Sequence, residues 1–249
     1  MGQILSYKDF LTTYKTRSHR IKHLKDYEYL FPIKSSETLS GIIADLICDG
    51  NLQGDPKWRI DFTSKSIDEL KRFEKEIQLL FNVKGKIRNC STNKFGETYN
   101  LAINCSPIAR ILFLCGVPPG QKVLVPFGIP KWVTKDKECF RRFAQRAFTC
   151  EGSVMHEEKR RMPQIRFHIH KVEKVEDYFI EELGLYLKKY FNIDSTITKQ
   201  KSRQSRKDGL LTIPRRMYIT GENVIKFSKE IKFEGAKQKV LKAQIPKLK

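Results

Sequence analysis

An apolar run that ends in Cys, an acid and Gly occurs twice in this chain, and this duplication limits the folds that the chain can adopt. The first copy covers residues 39–52 (LSGIIADLICDGNL), and the second covers residues 143–154 (FAQRAFTCEGSV). Their acids, Asp49 and Glu151, lie 102 residues apart. A repeat of this length predicts two copies of one structural unit rather than two unrelated domains.

The first copy has the pattern of a helix that a second helix can approach closely. Ser36 is placed to cap its N-terminus, and Gly50 follows it at a position where positive φ is common. Small residues recur at helical spacing on one face: Gly41, Ala44 and Cys48. We therefore expect the two repeated helices to pack side by side, which would bring Asp49 and Glu151 together at one end.

Carboxylates at the ends of two paired helices indicate a cation site. A helix C-terminus carries partial negative charge, so an acid is electrostatically unfavourable there unless a cation compensates it. Carboxylate oxygens suit hard divalent ions such as Mg²⁺. Asp49 and Glu151 are therefore the candidate metal ligands, and the alternative is that both are ordinary acids at helix ends.

The composition favours a polyanionic partner. The 249 residues include 48 Lys and Arg against 28 Asp and Glu, which gives a formal net charge of +20. Nucleic acid is the expected partner, and an anionic membrane surface is the alternative. No apolar run reaches about 18 residues, so we expect no membrane span. The six cysteines form no CxxC pair, which argues against a zinc ribbon, and we expect a reduced, cytoplasmic or organellar protein that is not secreted.

Periodicity predicts the same order of elements, αββαββα, in both halves of the chain. After the first motif we expect strands at residues 58–63, 86–90 and 99–104, and helices at residues 67–80 and 107–114. After the second motif we expect strands directly after residue 152 and at residues 164–170, 196–200 and 210–219, and helices at residues 175–190 and from residue 222.

The sequence divides into three expected segments. These are a basic N-terminal arm (residues 1–35), a first repeat (36–124) and a second repeat with a basic C-terminal tail (125–249). The cationic run at residues 15–25 is either a solvated helix face or a contact to DNA phosphates. We expect the tail to dock on the second repeat through its apolar residues: Ile231, Phe233, Val240 and Leu241.

These features together resemble a LAGLIDADG homing endonuclease, of the single-chain, two-motif kind related to intein and archaeal intron enzymes. The nine-residue motifs fall at residues 42–50 and 144–152, and the resemblance extends in order across residues 36–241. Three further stretches are typical of the family: CGVPPGQK at residues 115–122, IPKWV at residues 129–133 and KEIKFEGAKQKVL at residues 229–241.

The resemblance implies an α+β fold, in which two pseudo-symmetric αββαββα repeats form a DNA-binding antiparallel β-saddle around the two motif helices. It also implies a site-specific endonuclease, acting as a monomer with pseudo-two-fold symmetry, that hydrolyses both strands of double-stranded DNA. Asp49 and Glu151 would be the catalytic metal ligands, with Mg²⁺ as the cofactor and Mn²⁺ as a substitute. The target would be long and asymmetric, because the two halves differ in sequence.

Polar and basic residues that alternate along the predicted strands are the candidates for contacting DNA. They are Lys57, Arg59, Lys86 and Arg88 in the first repeat, and Arg166, His168, His170, Lys199, Lys201, Arg203 and Arg215 in the second. Phosphate contacts would set the register, and strand side chains would read the major groove. Each of these residues taken alone could equally be an ordinary solvated strand residue.

The junctions between the last strand and last helix of each repeat depart from the family pattern. A basic residue near the active site is usual in the family, but these junctions read NCS at residues 104–106 and TGE at residues 220–222. The candidate substitutes are Lys57, Lys86, Arg166 and Lys171.

The second motif departs from the pattern at Arg146, where the family prefers a small residue. A buried arginine needs a partner, and Asp45 of the first motif is the nearest candidate, so we advance the hypothesis that the two are compensating changes. These departures leave a second function open: a weakened or inactive relative that acts as a DNA-binding regulator or as an intron RNA splicing helper, a maturase. His168 and His170 have the spacing of a metal pair, but no third ligand is evident and a DNA contact is favoured.

Overall fold

The structure is a computed structural model, which describes residues 2–14, 26–93, 96–156, 162–176, 178–199, 203–206 and 208–245. The chain divides into two compact units, Met1–Gly120 and Gln121–Lys249. Helices pack against an antiparallel sheet in each unit, which confirms the predicted α+β class. The division falls after Gly120, whereas the sequence placed the boundary after residue 124.

The first unit is a four-stranded sheet with the strand order β3-β4-β6-β5, and a separate two-stranded sheet of β1 and β2. Its elements are β1 (Gln3–Leu5), α1 (Tyr7–Thr12), β2 (Ile33–Lys34), α2 (Glu37–Cys48), β3 (Gly50–Gln53), β4 (Arg59–Ser64), α3 (Ile67–Phe81), β5 (Lys86–Asn93), β6 (Gly96–Ile103) and α4 (Ser106–Leu114). A short 3-10 helix, Glu28–Leu30, precedes β2.

The second unit is a five-stranded sheet with the order β10-β11-β8-β7, in which β9 also pairs with β11. Its elements are α5 (Lys131–Thr134), α6 (Lys137–Glu151), β7 (Gly152–Met155), β8 (Gln164–Val172), α7 (Phe179–Phe191), β9 (Thr196–Lys199), β10 (Gln204–Ser205), β11 (Leu211–Ile219), α8 (Glu222–Glu230) and α9 (Ala236–Gln244).

The predicted repeat is present in the order of the elements. From α2 to α4 and from α6 to α8, each unit runs helix, two strands, helix, strands and helix, and both central helices end at an asparagine in the left-handed conformation, Asn82 and Asn192. The β5–β6 hairpin is longer than predicted. Its outer pairs, Ser91 with Thr98 and Thr92 with Glu97, are polar on both sides, so they lack the alternating pattern that marks a strand in sequence.

The core of each unit lies between the sheet and its helices. In the first unit, Phe62 of β4 stacks on Phe73 of α3, with the ring centroids 4.6 Å apart. In the second, Phe148 of α6 packs against Phe167 of β8 and Phe227 of α8, at 5.0 and 4.8 Å. All five side chains are at most 1% exposed, so buried aromatic contacts join α3 to β4 in the first unit and anchor the motif helix α6 to β8 and α8 in the second.

The glycine after each acid allows the helix to pass directly into a strand. Ser36 caps α2 as predicted, its hydroxyl accepting the Leu39 N–H at 3.2 Å, but the expected positive φ after the helix is wrong, since Gly50 and Gly152 both lack it. A Cβ on Gly50 would lie 2.7 Å from the Leu46 Cα, and one on Gly152 would lie 2.3 Å from a backbone oxygen one turn back. The requirement for glycine is therefore steric.

The described part of the predicted N-terminal arm is an integral part of the first unit. Strand β1 pairs with β2, and Phe10 and Tyr14 are buried. The guanidinium of Arg110 lies between the rings of Tyr14 and Trp58, 4.3 Å from each centroid, which ties the N-terminal segment to α4. The cationic run at residues 15–25 lies outside the described residues.

The C-terminal segment docks on the second unit. Ile231, Phe233 and Leu241 are buried, as the apolar pattern predicted, whereas Val240 is 45% exposed. Phe233 packs against Phe227, with the ring centroids 5.1 Å apart. The segment therefore adds to the core of the second unit.

The close backbone approach at Gly152 gives a direct test of the fold. We expect Gly152→Ala to lower the free energy of unfolding by about 3 kcal/mol, because its Cβ would overlap backbone that belongs to the same helix. Chemical denaturation would measure the change. Gly2→Ala is the matched control, since a Cβ there meets nothing within 4 Å and should change stability by less than about 0.5 kcal/mol. Equal stability of the two variants would contradict this account of the junction.

Candidate nucleic-acid interface and acidic site

The strand pairing of the first unit brings three of the predicted residues, Arg59, Lys86 and Arg88, together with Asp61 on the polar side of its sheet, opposite the core. Asp61 and Lys86 both lie opposite Ala102, and Arg88 lies opposite Asn100. Residues directly opposite one another in antiparallel strands point to the same face. Lys86 and Arg88 are exposed there. Lys57, in contrast, lies in the exposed turn before β4 and not on a strand.

A carboxylate orients the arginine on this face. Arg59 donates to Asp61 through two nitrogens, Nε to Oδ2 at 2.8 Å and Nη2 to Oδ1 at 2.7 Å. The hydrogen bond that Arg59 donates to this carboxylate raises the pKa of Arg59, and Gln53 donates to the same Oδ2 at 3.1 Å. Arg59 is therefore held in one geometry while its side chain is 32% exposed, as an arginine prepared for a phosphate or a base edge would be.

The polar side of the second sheet carries the predicted Arg166, His168 and His170, together with two residues that sequence reasoning missed. Arg216 lies directly opposite His168, and Tyr218 lies directly opposite Arg166. The two histidine rings are 5.2 Å apart in an edge-on arrangement. This surface, formed by Arg166, His168, His170, Arg216 and Tyr218, is called the arginine–histidine face below.

Lys199 and Arg215 were predicted for this polar side, but they lie on the other side of the sheet. Arg215 lies opposite Ile169, is only 8% exposed, and donates to the Val175 carbonyl at 3.2 Å. Lys199 is paired with Arg215 in the sheet and lies at an exposed strand end. Because Arg215 and Arg216 are adjacent, the sequence of β11 does not show which of the two faces the polar side of the sheet and which faces the core. The buried Met217 was the signal that could have fixed the correct one.

The remaining predicted contacts lie beyond the regular sheet. Arg203 is exposed and pairs with Glu173, with the Nη2 and Oε2 atoms 2.9 Å apart. Lys201 lies outside the described residues.

The electrostatics of the arginine–histidine face favour an anion. Burial lowers the pKa of His168, and His170, Arg166 and Arg216 lower it further; burial and then Arg216 lower the pKa of His170. The Nε atoms of Arg166 and Arg216 are buried and have no hydrogen-bond partner among the described residues. The positive charge of this face suits a phosphate oxygen.

The two acids occupy equivalent places in their units. Asp49 is exposed at the end of α2, and Glu151 is the half-buried last residue of α6. Each stands two residues before a strand position that faces the polar side of its own sheet, because Asn51 pairs with Asp61 and Ser153 pairs with Arg166. Each unit therefore places its acid next to its polar face.

The donor set for a metal is one carboxylate per unit. Across the described ranges, no group of three or more His, Cys, Asp or Glu residues could hold a metal ion, and this includes the surroundings of His168 and His170. Mg²⁺ commonly uses one or two carboxylates and completes its coordination with water and substrate phosphate. Asp49 and Glu151 fit that pattern, in which the protein supplies only some of the metal ligands.

The end of α6 is bound by a lysine that sequence reasoning also missed. Lys237 of α9 donates through Nζ to the carbonyl oxygens of Gly152 at 2.8 Å and Cys150 at 3.2 Å, and it contacts that of Thr149 as well. These carbonyls lie on both sides of Glu151 in the chain. A lysine near a helix C-terminus stabilises it, because it meets unpaired carbonyls and the negative end of the dipole.

Arg146 and Asp45 each have a partner within their own unit. Arg146 is 1% exposed and forms an ion pair with Glu234, which also binds Arg142 at 2.5 Å. Asp45 is fully buried and accepts from Arg72 at 2.6 Å. Glu234 thus supplies the carboxylate that a buried Arg146 requires, and the hypothesis that Asp45 must supply it is not needed.

The two strand-to-helix junctions without a basic residue lie between the last strand and the last helix of each repeat, where the sequence placed them. Residues 104–106 connect β6 to α4 and residues 220–222 connect β11 to α8, and neither contains Lys or Arg. Of the substitutes, Lys86 and Arg166 lie on polar faces, but Lys171 is 1% exposed and its Nζ donates to the Lys122 and Val125 carbonyls at 2.7 and 2.9 Å. Lys171 therefore secures the start of the second unit.

A model of the LAGLIDADG-like domain matches residues 138–232, from α6 to the end of α8. The homing endonuclease I-WcaI, solved bound to its DNA recognition sequence, is similar with a TM-score of 0.54 and 12% identity, over 96% of this chain and 98% of that one. The N-terminal LAGLIDADG domain of DUF199/WhiA is similar with a TM-score of 0.52 and 16% identity, over 91% of this chain and 96% of that one.

Two further relatives are longer than this chain. Full-length DUF199/WhiA from Thermatoga maritima is similar with a TM-score of 0.53 and 15% identity, over 87% of this chain and 62% of that one. The tRNA-splicing ligase RtcB of Methanopyrus kandleri is 24% identical over 225 residues, which are 83% of this chain but only 22% of that protein. This chain therefore spans about a fifth of the curated relative that it matches.

The repeated αββαββα units, each with an acid at the end of its motif helix, define a protein with the LAGLIDADG fold. The match of residues 138–232 to the LAGLIDADG-like domain and the shared fold support the resemblance that the sequence predicted. Within the described ranges, no helix combines the length and the apolar character that a membrane span requires.

The lowered histidine pKa values predict a pH dependence of stability. A histidine whose pKa is lower in the folded state than its usual 6.5 costs no stability above that value, and destabilises the protein as pH falls through the folded pKa. We expect the double variant His168→Gln, His170→Gln to lose less stability than the wild type between about pH 7.5 and about pH 5. Urea denaturation at both pH values would measure this, with His156→Gln as the control. An equal loss in wild type and double variant would contradict the assignment.

Proposed function

We propose that this chain is a metal-dependent DNA endonuclease of the homing type, which hydrolyses both strands of a long, asymmetric DNA target. The observation that carries the proposal is the coincidence, in each unit, of a polar, mainly basic sheet face with an acid at the end of the motif helix next to it. A single such unit could be chance, but the chain contains two.

Duplex DNA is the partner that the two faces suit. The formal charge of +20 favours a polyanion, and antiparallel strands can present side chains to a major groove. The similar I-WcaI was solved with its DNA recognition sequence, which supports the same class of ligand here. The two faces differ in chemistry, because the first carries an Arg59–Asp61 pair with Lys86 and the second carries arginines and histidines. A target with two unlike halves follows from that difference.

Each acid would serve one DNA strand. Asp49 and Glu151 would hold Mg²⁺, or Mn²⁺ in its place, with water and phosphate oxygens as the other ligands. The bound metal supplies Lewis acidity and an activated water for phosphodiester hydrolysis. The polar faces position the scissile phosphates beside the acids, and this positioning accounts for much of the barrier reduction in such reactions. A monomer is sufficient for both cuts, because one chain contains both units.

A binding protein that no longer cuts is the second candidate, either as a DNA-binding regulator or as an intron RNA splicing helper. It is favoured by Lys237, which occupies carbonyl oxygens beside Glu151, and by the junctions at residues 104–106 and 220–222 that contain no basic residue. The LAGLIDADG domain of DUF199/WhiA shows that the fold is not confined to proteins named as endonucleases.

Cleavage of a randomised duplex library in the presence of Mg²⁺ tests the leading proposal. We expect the wild type to produce defined double-strand breaks, and Asp49→Asn and Glu151→Gln each to slow cutting of one strand by roughly a hundredfold or more, because each removes a metal ligand. Sequencing the products on both strands would measure this. Asp194→Asn is the matched control, since it removes an exposed acid whose ion pair with Lys188 is solvated.

The two candidate functions give different outcomes in this assay. Loss of cutting on different strands in the two acid variants supports the endonuclease. Absence of breaks with any of the proteins, together with tight, salt-sensitive binding that the acid substitutions do not alter, would replace it with the binding protein. Preference for RNA over the DNA library would then favour the splicing helper.

A further inference from the structure

The C-terminal segment binds one face of the second motif helix along most of its length. Arg142 and Arg146 of α6 bind Glu234, Gln145 donates to the Ile231 carbonyl at 3.2 Å, and the Thr149 hydroxyl accepts the Glu234 N–H at 3.0 Å. These four α6 residues are spaced as one helix face. The first motif helix differs, because its residues at the equivalent positions are Ser40, Ile43, Ala44 and Ile47, all buried and with no charged side chain among them.

The result of this docking is that a positive charge is held at the end of α6. Glu234 and the two arginines fix the segment, Gly235 follows with φ of 61°, and α9 then begins at Ala236. The next residue is Lys237, whose ammonium group meets the carbonyls of Thr149, Cys150 and Gly152. Several independent contacts therefore place this one group, and its position does not depend on a flexible side chain alone.

The ammonium group of Lys237 binds the carbonyl oxygens that a divalent cation at the end of α6 would use as ligands. A helix C-terminus attracts cations through its free carbonyl oxygens and its partial negative charge. The carbonyls on both sides of Glu151 are bound to Lys237 in this structure. A metal ion at Glu151 would lose those oxygens as ligands and would be repelled by a fixed charge of the same sign.

We propose that Lys237 is a resident cation of the Glu151 site, and that it weakens the binding of divalent metal ions by that carboxylate. The proposal rests on the assignment of Glu151 as a metal ligand under the proposed function. The proposal gives a function to α9, which lies outside both motifs: the C-terminal segment sets the metal affinity of one of the two acids. Lys237 acts through position and charge and is not itself a ligand or a catalytic group.

Binding of Mn²⁺ to the DNA-free protein, followed by the paramagnetic resonance of the free ion, tests the proposal without any requirement for cleavage. We expect Lys237→Met and Lys237→Gln each to strengthen Mn²⁺ binding by about tenfold, because a unit charge next to the site is removed. The Gln variant retains a hydrogen-bond donor for the helix end and remains informative if the Met variant unfolds. Lys239→Met is the matched control, since it removes the same charge from an exposed position of α9.

The outcomes separate this proposal from its alternatives. A gain in both Lys237 variants that disappears when Glu151→Gln is added supports it. A lysine that merely caps the helix would give variants with a lower melting temperature and unchanged Mn²⁺ affinity, and that result would overturn the proposal. A gain that survives Glu151→Gln, or an equal gain in Lys239→Met, would also overturn it. Because no DNA is present, failure of the cleavage assay leaves this test valid.

Discussion

The structure depends on a backbone contact that only glycine permits. At Gly50 and Gly152 a sheet strand begins, directly after α6 in the second unit and one residue after α2 in the first, and a Cβ at either glycine would overlap the preceding turn. The acid before each glycine is consequently fixed at the edge of a sheet, two residues from a side chain on its polar face. Fold and candidate chemistry are thus joined at one point in each unit, since the same junction that starts the sheet also positions the carboxylate.

The features that follow from local pattern could be predicted from the sequence. Helical and strand periodicity gave the αββαββα order, and the apolar tail residues Ile231 and Phe233 were correctly expected to be buried. The errors arise where local pattern is ambiguous. Because Arg215 and Arg216 are adjacent, either could face the polar side of β11, and only the buried Met217 shows that Arg216 does. Contacts across a long sequence separation, such as Arg146 with Glu234, have no periodic signal at all.

The two units share a topology but differ in how they hold charge. In the first, Asp61 orients Arg59 by two hydrogen bonds, and the buried Asp45 is neutralised by Arg72. In the second, no carboxylate among the described residues is paired with Arg166 or Arg216 of the polar face, and the motif helix is bound by a C-terminal segment that supplies both an acid and a lysine. Unlike halves of this kind are expected to read unlike DNA half-sites and to differ in metal affinity.

The central claim is that the polar sides of the sheets are the surfaces that meet DNA. The salt dependence of binding to a selected duplex, compared for wild type, Arg216→Gln and Lys199→Gln, tests it most directly, because both variants lose one charge from the same sheet but from opposite sides. Arg216→Gln should weaken binding and reduce the slope of log affinity against log salt by about one, while Lys199→Gln should leave that slope unchanged. Equal effects of the two substitutions, or a larger effect of Lys199→Gln, would contradict the account.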